Sequence, residues 1–312
     1  MRDIAIVAYA RTPAGAGAEE LSEVEMLMPV LHEVLHATGL KAGDIGFTCS
    51  GSSDYLAGRA FSFTMALDGV GAWPPISESH VEMDGAWALY EAWVKLLTGD
   101  ADTALVYAYG KSSPGDIGAV LTRQLDPYYL APLWPDADSL GALQTQAAID
   151  AGHAGLSQPL SPSDRTPVGD AAAAVVLAAG DTARGLCARP AWIRGIDHRI
   201  EAHGLGVRDL ADSPSTRLAA TRAGAFDAPV DAAELHAPYR GQQAVLREAL
   251  KLGDGVALNP SGAENAVMAA GLIRIGEAAA RITRGDSQRA LAHATSGPCL
   301  QQNLVAVLEG ES

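Results

Sequence analysis

Apolar residues in this chain fall into two alternating patterns, short unbroken runs and stripes that return every three or four positions. Residues 4–11 are a run of strand length rich in isoleucine, valine and alanine, which predicts a buried strand. Over 21–38 the spacing becomes helical, with Gly39 as the C-cap; Pro29 inside it marks either a kink or a break into two shorter helices. Residues 44–49 predict a second short strand that opens into a flexible segment over 50–55. A helix follows over 85–98, ended by Gly99-Asp100, and then a strand over 103–109. Residues 112–168 lose the periodicity and are rich in Pro, Gly, Ser and Asp, so they predict an excursion from the core with one helix over 140–151. A strand resumes over 170–180. Helix and strand patterns in alternation predict an α/β layered fold.

The second part of the chain repeats the first. Gly85 to Asp100 aligns with Gly271 to Asp286 at a constant shift of 186, and the same shift sets Ala104-Leu105 on Ala290-Leu291, Ile6-Val7 on Trp192-Ile193, and Cys49-Ser50 on Leu235-His236. One offset serving separate segments predicts an internal duplication. Two α/β halves should pack together, 1–185 with the excursion 112–168 and 186–312, with a site where equivalent loops meet.

The loop Asn259-Pro-Ser-Gly-Ala-Glu-Asn265 leads into the second copy of the long helix. Its polar side chains and backbone N–H groups at a helix N-terminus, where the helix dipole is positive, suit a polarised carbonyl oxygen. They equally suit a plain capped entry with Ser261 or Asn265 as the cap. The duplication sets Asn265 on Ser79 and places this loop opposite Glu82-Met83-Asp84-Gly85. Asp84 and Glu82, at the other helix entry, read as capping carboxylates; Asp84, if it faces a cavity, reads instead as a group whose burial raises its pKa enough to make a base.

Composition narrows the partners. A formal charge of −15 disfavours nucleic acid, whose phosphates would be repelled. Cys49, Cys187 and Cys299 form no CxxC pair and an odd set, so neither a disulfide framework nor a zinc site is expected. The first residues show no signal-peptide pattern and no apolar run reaches membrane-spanning length, so a soluble protein of the cytoplasm is expected.

The strand opening Ile-Ala-Ile-Val-Ala-Tyr-Ala-Arg-Thr, the stretch Glu234-Leu-His236-Ala-Pro-Tyr239, the loop Asn259-Pro-Ser-Gly and the closing Gly297-Pro-Cys-Leu-Gln-Gln-Asn together resemble the thiolase superfamily. The nearest group is the thiolase-like lipid-transfer proteins related to sterol carrier protein x. The resemblance spans nearly the whole chain and implies the five-layered αβαβα fold and a dimer, with itself or with a thiolase-like paralogue. It also shows departures. Where thiolases carry a nucleophilic cysteine, in Cys-x-Ser-Gly, stands Glu82-Met83-Asp84-Gly85; where their Gly-His-Pro carries the activating histidine stands Glu264-Asn265-Ala266. Cys299 falls within a residue of the family's acid/base cysteine, without the glycines that accompany it.

Thiolysis holds the acyl group on a thiolate, and this chain lacks that thiolate. The resemblance therefore points to members that act as aldolases, cleaving the β-hydroxyacyl-CoA side chain of a steroid by retro-aldol chemistry alongside a small OB-fold, zinc-ribbon protein. Coenzyme A would enter as part of the substrate, with no tightly bound cofactor and no metal. Tyr239 is the candidate acid/base, a phenol that relays a hydroxyl proton when its pKa is lowered, with His236 bracing either it or an oxyanion donor. Asn265 and Asn259 are candidate donors to the thioester carbonyl, Ser261, Gly262 and Glu82 candidate substrate contacts, and Asp84 and Cys299 further acid/base candidates. Each also has a plain reading as a cap, a turn residue or a packed side chain. Two other functions fit the same residues: a non-catalytic subunit that scaffolds an active paralogue or the OB-fold protein, and a residual thiolase using Cys299.

Overall fold

Alternate residues of a strand face opposite sides, so a strand buried on both faces reads as unbroken apolar sequence. That is why the runs predicted as strands are continuous. In the computed structural model, which describes residues 2–12, 20–161, 164–262 and 265–311, the helices in chain order are α1 (Glu23–Thr38), α2 (Asp54–Ala57), α3 (Leu67–Val70), α4 (Gly85–Leu97), α5 (Ile117–Arg123), α6 (Ala137–Asp150), α7 (Gly180–Leu186), α8 (Pro214–Arg222), α9 (Arg240–Ala249) and α10 (Ala270–Arg284). The strands are β1 (Ile4–Arg11), β2 (Phe47–Gly51), β3 (Glu78–Val81), β4 (Thr103–Gly110), β5 (Ala171–Ala179), β6 (Ala191–Ile200), β7 (Ala232–Leu235), β8 (Ala257–Leu258), β9 (Arg289–Ser296) and β10 (Gln302–Glu309).

The strand order is β3-β2-β4-β5-β1-β6-β10-β9-β7-β8, a five-strand order followed by its mirror. In each run of five the two parallel pairings lie at the outer end, and the strands toward the centre pair antiparallel. Among the described residues the two runs pair through Ala5 with Trp192 and Ile6 with Ala191. The shift of 186 carries β4 onto β9 residue for residue and sets α4 within α10.

Helices α4 and α10 fill the space between the two runs. Ala104, Val106 and Ala108 of β4 and Ala290, Ala292 and Ala294 of β9 face them, in one core with Leu89, Leu272 and Ile275. The alternate residues Leu105, Tyr107 and Tyr109 face a second core with Met26, Leu27 and Leu31 of α1. On the other side, Leu291, Val305 and Val307 pack with Ala219 of α8 and Val245 and Leu246 of α9. The result is five layers, helix, sheet, helix, sheet, helix. Alanines recur on the strand faces turned to α4 and α10, where backbones come close: a Cβ on Gly271 would sit 2.5 Å from the Ala294 methyl.

Several expected elements differ in detail. Helix α1 runs unbroken past Pro29, and begins at Glu23 because Ser22 and Glu25 form a capping box. The excursion carries two helices, α5 and α6, where the sequence predicted one. Helix α10 begins at Ala270, so neither Ser261 nor Asn265 caps it: its N-cap is Ala269, which offers no side-chain bond. Glu264, aligned with the thiolase glycine, and Ala263 lie outside the described residues. Among the described residues no helix is long and apolar enough to cross a membrane.

Candidate active site

The entries to the two central helices meet at one carboxylate. Asp84 caps α4 by accepting from the Ala86 N–H at 2.8 Å, and it also accepts from the Gly271 N–H at 2.9 Å and the Leu272 N–H at 3.1 Å, in the first turn of α10. Gly85 returns a bond across the same gap, its N–H donating to the Met268 carbonyl at 2.9 Å. Burial lifts the Asp84 carboxyl to about 7, while the three N–H groups pull the other way. Its oxygens are fully engaged, so Asp84 joins the two helix entries as a clamp between the copies.

Above this junction opens a cavity of about 890 Å³. It is lined by Glu82, Asp84, His236, Tyr239, Asn265 and Cys299, together with residues of α5 and α6 and the turn 296–302. Six of the nine residues singled out in the sequence therefore line one space. Asn259, Ser261 and Gly262 do not. The Asn259 amide is spent on β7, accepting from the Leu235 N–H at 2.6 Å and donating to the Leu235 carbonyl. Ser261 donates to Glu234 at 2.7 Å, and the Gly262 carbonyl accepts from Arg274, which is itself paired with Glu234 at 3.1 Å. Asn259 thus ties the loop to β7, and Ser261 and Gly262 tie it to a buried ion pair rather than to the cavity.

The excursion supplies one wall. Helix α6 crosses α9 at very short range: a Cβ on Gly141 would lie 2.8 Å from the Tyr239 ring, and one on Gly241 would lie 2.3 Å from the Thr145 hydroxyl. Only glycine fits at 141, and the ring beside it is pinned. The Tyr239 hydroxyl donates to Asp138 Oδ1 at 2.9 Å. Arg165 grips the same carboxylate, Nη1 donating to Oδ1 at 2.9 Å and Oδ2 at 2.7 Å. Burial first, then the bond to Asp138, raise the Tyr239 phenol above its ordinary pKa. This is the reverse of the lowered pKa expected for a relay, so Tyr239 rests as a neutral phenol whose proton points at a carboxylate.

His236 on the cavity wall is backed by His293. His236 Nε2 meets Asn265 Oδ1 at 3.4 Å, its main-chain N–H donates to the His293 carbonyl, and His293 Nε2 meets Asn303 Oδ1 at 2.9 Å. Burial pushes His236 down to about 3 and His293 down to about 4. Both are neutral in the fold and titrate near 6.5 once unfolded. Below pH 6.5 the unfolded chain therefore binds protons that the fold excludes, and stability falls as pH drops toward 4, by up to about 1.4 kcal/mol per pH unit for each histidine. Urea unfolding from pH 8 to 4 is expected to show this acid limb, shallower in His293→Gln; an identical limb in that variant would remove His293 from the account.

The turn 297–301 closes the other side. Gly297, Cys299 and Leu300 all have positive φ, at 73°, 53° and 55°, a conformation that costs energy for the two non-glycines and persists only where contacts enforce it. Here the carbonyls are held: Arg208 donates to Pro298 and Cys299, Gln144 to Cys299, and Asn303 to Leu300. The Cys299 thiol donates to the Leu140 carbonyl at 3.4 Å, and burial pushes its pKa up to about 11 against the pull of Arg208. Iodoacetamide at pH 7 is accordingly expected to leave Cys299 unmodified until the protein is denatured; rapid alkylation at Cys299 itself in the folded protein, located by peptide mapping apart from the partly exposed Cys187, would contradict a buried, protonated thiol.

Glu82 is exposed and accepts from the Asp54 N–H at 2.6 Å. Asp138, Arg165 and Gly141 were not singled out in the sequence. Asp138 has one weak signal, its place in the first turn of α6, which reads as helix-dipole pairing; Arg165, in aperiodic sequence, has none.

This architecture was compared with known proteins. No family model matches the sequence, and none of the curated proteins does. Among solved structures, human mitochondrial 3-ketoacyl-CoA thiolase superposes with a TM-score of 0.75 at 15% identity, over 99% of each chain. The chain has the thiolase fold. The same human thiolase in complex with CoA gives a TM-score of 0.74 at 16% identity, over 100% of this chain and 98% of the other. At that identity the likeness establishes the fold, and what the cavity does rests on its own residues.

Proposed function

We propose that this thiolase-fold chain is a lyase that cleaves the side chain of a β-hydroxyacyl-CoA, steroidal or similarly branched, by a retro-aldol reaction. The observation that carries the reading is the Tyr239 hydroxyl donating to Asp138 on the cavity wall, in a chain whose sequence resemblance to thiolases sets Glu82-Met83-Asp84-Gly85, without a cysteine, against their nucleophile motif. The substrate's β-hydroxyl gives its proton to the Tyr239 oxygen as the phenol proton moves to Asp138. The Cα–Cβ bond then breaks, the β-carbon leaves as a ketone, and its electron pair becomes the thioester enolate. The proton returns through Tyr239 to Cα, so nothing is oxidised and no acyl-enzyme forms. The Asn265 amide on the cavity wall, whose Nδ2 makes a long 3.4 Å bond to the Thr166 carbonyl, is a donor for an enolate oxygen. The CoA-bound human thiolase of the same fold supports a CoA thioester as the ligand.

On this reading the protein works as a dimer, with itself or a thiolase-like paralogue, the halves 1–185 and 186–312 share the cavity, and a small OB-fold protein completes the acyl-CoA site in the cytoplasm. Incubated with such a partner and a β-hydroxyacyl-CoA bearing a tertiary hydroxyl, the protein should release a ketone and a shortened acyl-CoA. Failure to release either with the partner present would sink the reading.

One observation favours a second function, a non-catalytic subunit. Asp84 consumes the N–H groups at both central helix entries, which would otherwise face a substrate oxygen. A stable complex with a thiolase-like paralogue, whose activity needs this chain but survives Tyr239→Phe, would select it. The buried, protonated Cys299 weighs against a residual thiolase.

A further inference from the structure

The retro-aldol reading makes Asp138 accept a proton, yet Asp138 as it stands is badly suited to do so. Arg165 Nη1 donates to both of its oxygens, at 2.9 and 2.7 Å, and the oxygen that accepts from the Tyr239 hydroxyl is one of them, so the guanidinium already occupies the carboxylate where the phenol proton would have to go. While that contact lasts, Asp138 holds the Tyr239 proton in place and does not take it. The contact is built to open. The side chains of Arg165 and Asp138 are 46% and 54% exposed, and ion pairs so exposed are weak. Tyr239 is buried and wedged against Gly141. The Arg165 main chain is fixed by its bridge to Tyr239 and by the Thr166 N–H donating to the Pro238 carbonyl at 2.9 Å, which leaves the side chain as the part able to swing. Glu82, Asp126 and Asp136 also line the cavity, where the guanidinium groups are those of Arg123 and Arg165, so an anion entering it has few cations to meet.

We propose that Arg165 is a latch on the proton-transfer pair: an anionic group of the ligand, phosphate or carboxylate, draws the guanidinium off Asp138 and so turns Asp138 into the acceptor of the Tyr239 proton. Asp138 and Arg165 act through Tyr239 and are positioning residues. An empty site is thereby kept inactive, and a ligand that carries the right charge arms it. The bond cleavage that the open latch permits rests on the retro-aldol reading, but the latch can be observed without turnover.

The test labels tyrosine Cζ with ¹³C and assigns the Tyr239 signal with Tyr239→Phe. The full chain is titrated with inorganic pyrophosphate and, separately, with acetate at constant ionic strength. A saturable shift of the Tyr239 signal with either anion supports the latch, and the anion that produces it names the source as phosphate or carboxylate. In Arg165→Met the signal should lie displaced before any addition and ignore both anions, while Arg165→Lys should keep the response at weaker affinity and Asp138→Asn should abolish it. A Tyr239 signal that neither anion moves, or that moves equally in Arg165→Met, overturns the proposal. A working latch without cleavage would refute the retro-aldol reading alone; cleavage with an unresponsive Tyr239 would refute the latch alone.

Discussion

Tyr239→Phe is expected to slow side-chain cleavage by roughly 10²–10⁴-fold, the usual worth of a positioned acid or base, and to leave the fold unchanged. The substitution keeps the ring that fills the gap against Gly141 and removes only the hydroxyl bonded to Asp138. Asp138 keeps Arg165 and is half exposed, so losing the phenol leaves no buried charge alone. The loss should appear in kcat more than in KM, because the phenol matters most while the proton is in flight. Rates of ketone release set beside thermal melts of both proteins check this. A variant that turns over within a few-fold of the parent would take Tyr239 out of the reaction.

Asp84→Ala is expected to cost about 3–5 kcal/mol of stability, since it leaves three buried N–H groups in the first turns of α4 and α10 without an acceptor. Asp84→Asn, which keeps one carbonyl oxygen between the helix entries, should lose less. Because the carboxylate joins the two copies of the fold rather than one helix to itself, the alanine variant should also unfold over a broader denaturant range. Urea unfolding at neutral pH measures both effects. A loss below about 1 kcal/mol, the scale of one ordinary hydrogen bond, would mean that the clamp is not what holds the entries together.

The sequence carried the fold further than the site. Strands such as β4 and β5 are buried on both faces, so their apolar runs are unbroken and their ends are marked by Gly99-Asp100 and Gly180; the repeat at 186 then arises from copies that bury the same faces. Short polar helices leave no such trace. Helix α5, seven residues behind a Pro/Gly-rich stretch, carries too little periodicity to be seen. The cavity lining was legible where a residue type was unusual for its place, as with Asp84 and Glu82 at a helix entry and Asn265 in a polar loop. It was not legible where function depends on contacts between distant segments. Asp138 and Arg165 meet Tyr239 across about a hundred and about seventy positions of sequence respectively, and nothing local to either announces it. The same cause misplaced Asn259, Ser261 and Gly262: their polar groups are real, but the Arg274–Glu234 pair and the β7 main chain claim them. The helix entry next to that loop is instead capped from the other copy, by a residue 187 positions earlier.

The central claim is that C–C cleavage here needs no thiol and no second acyl acceptor. The most direct measurement is turnover of a tertiary β-hydroxyacyl-CoA in D₂O with the OB-fold partner and no added CoA, with mass analysis of the products and of the intact protein. Ketone and shortened acyl-CoA in equal amounts, deuterium at the α-carbon of the acyl product and an unmodified protein are predicted. Cleavage that begins only when CoA is added, or a protein carrying an acyl group on Cys299, would contradict the account.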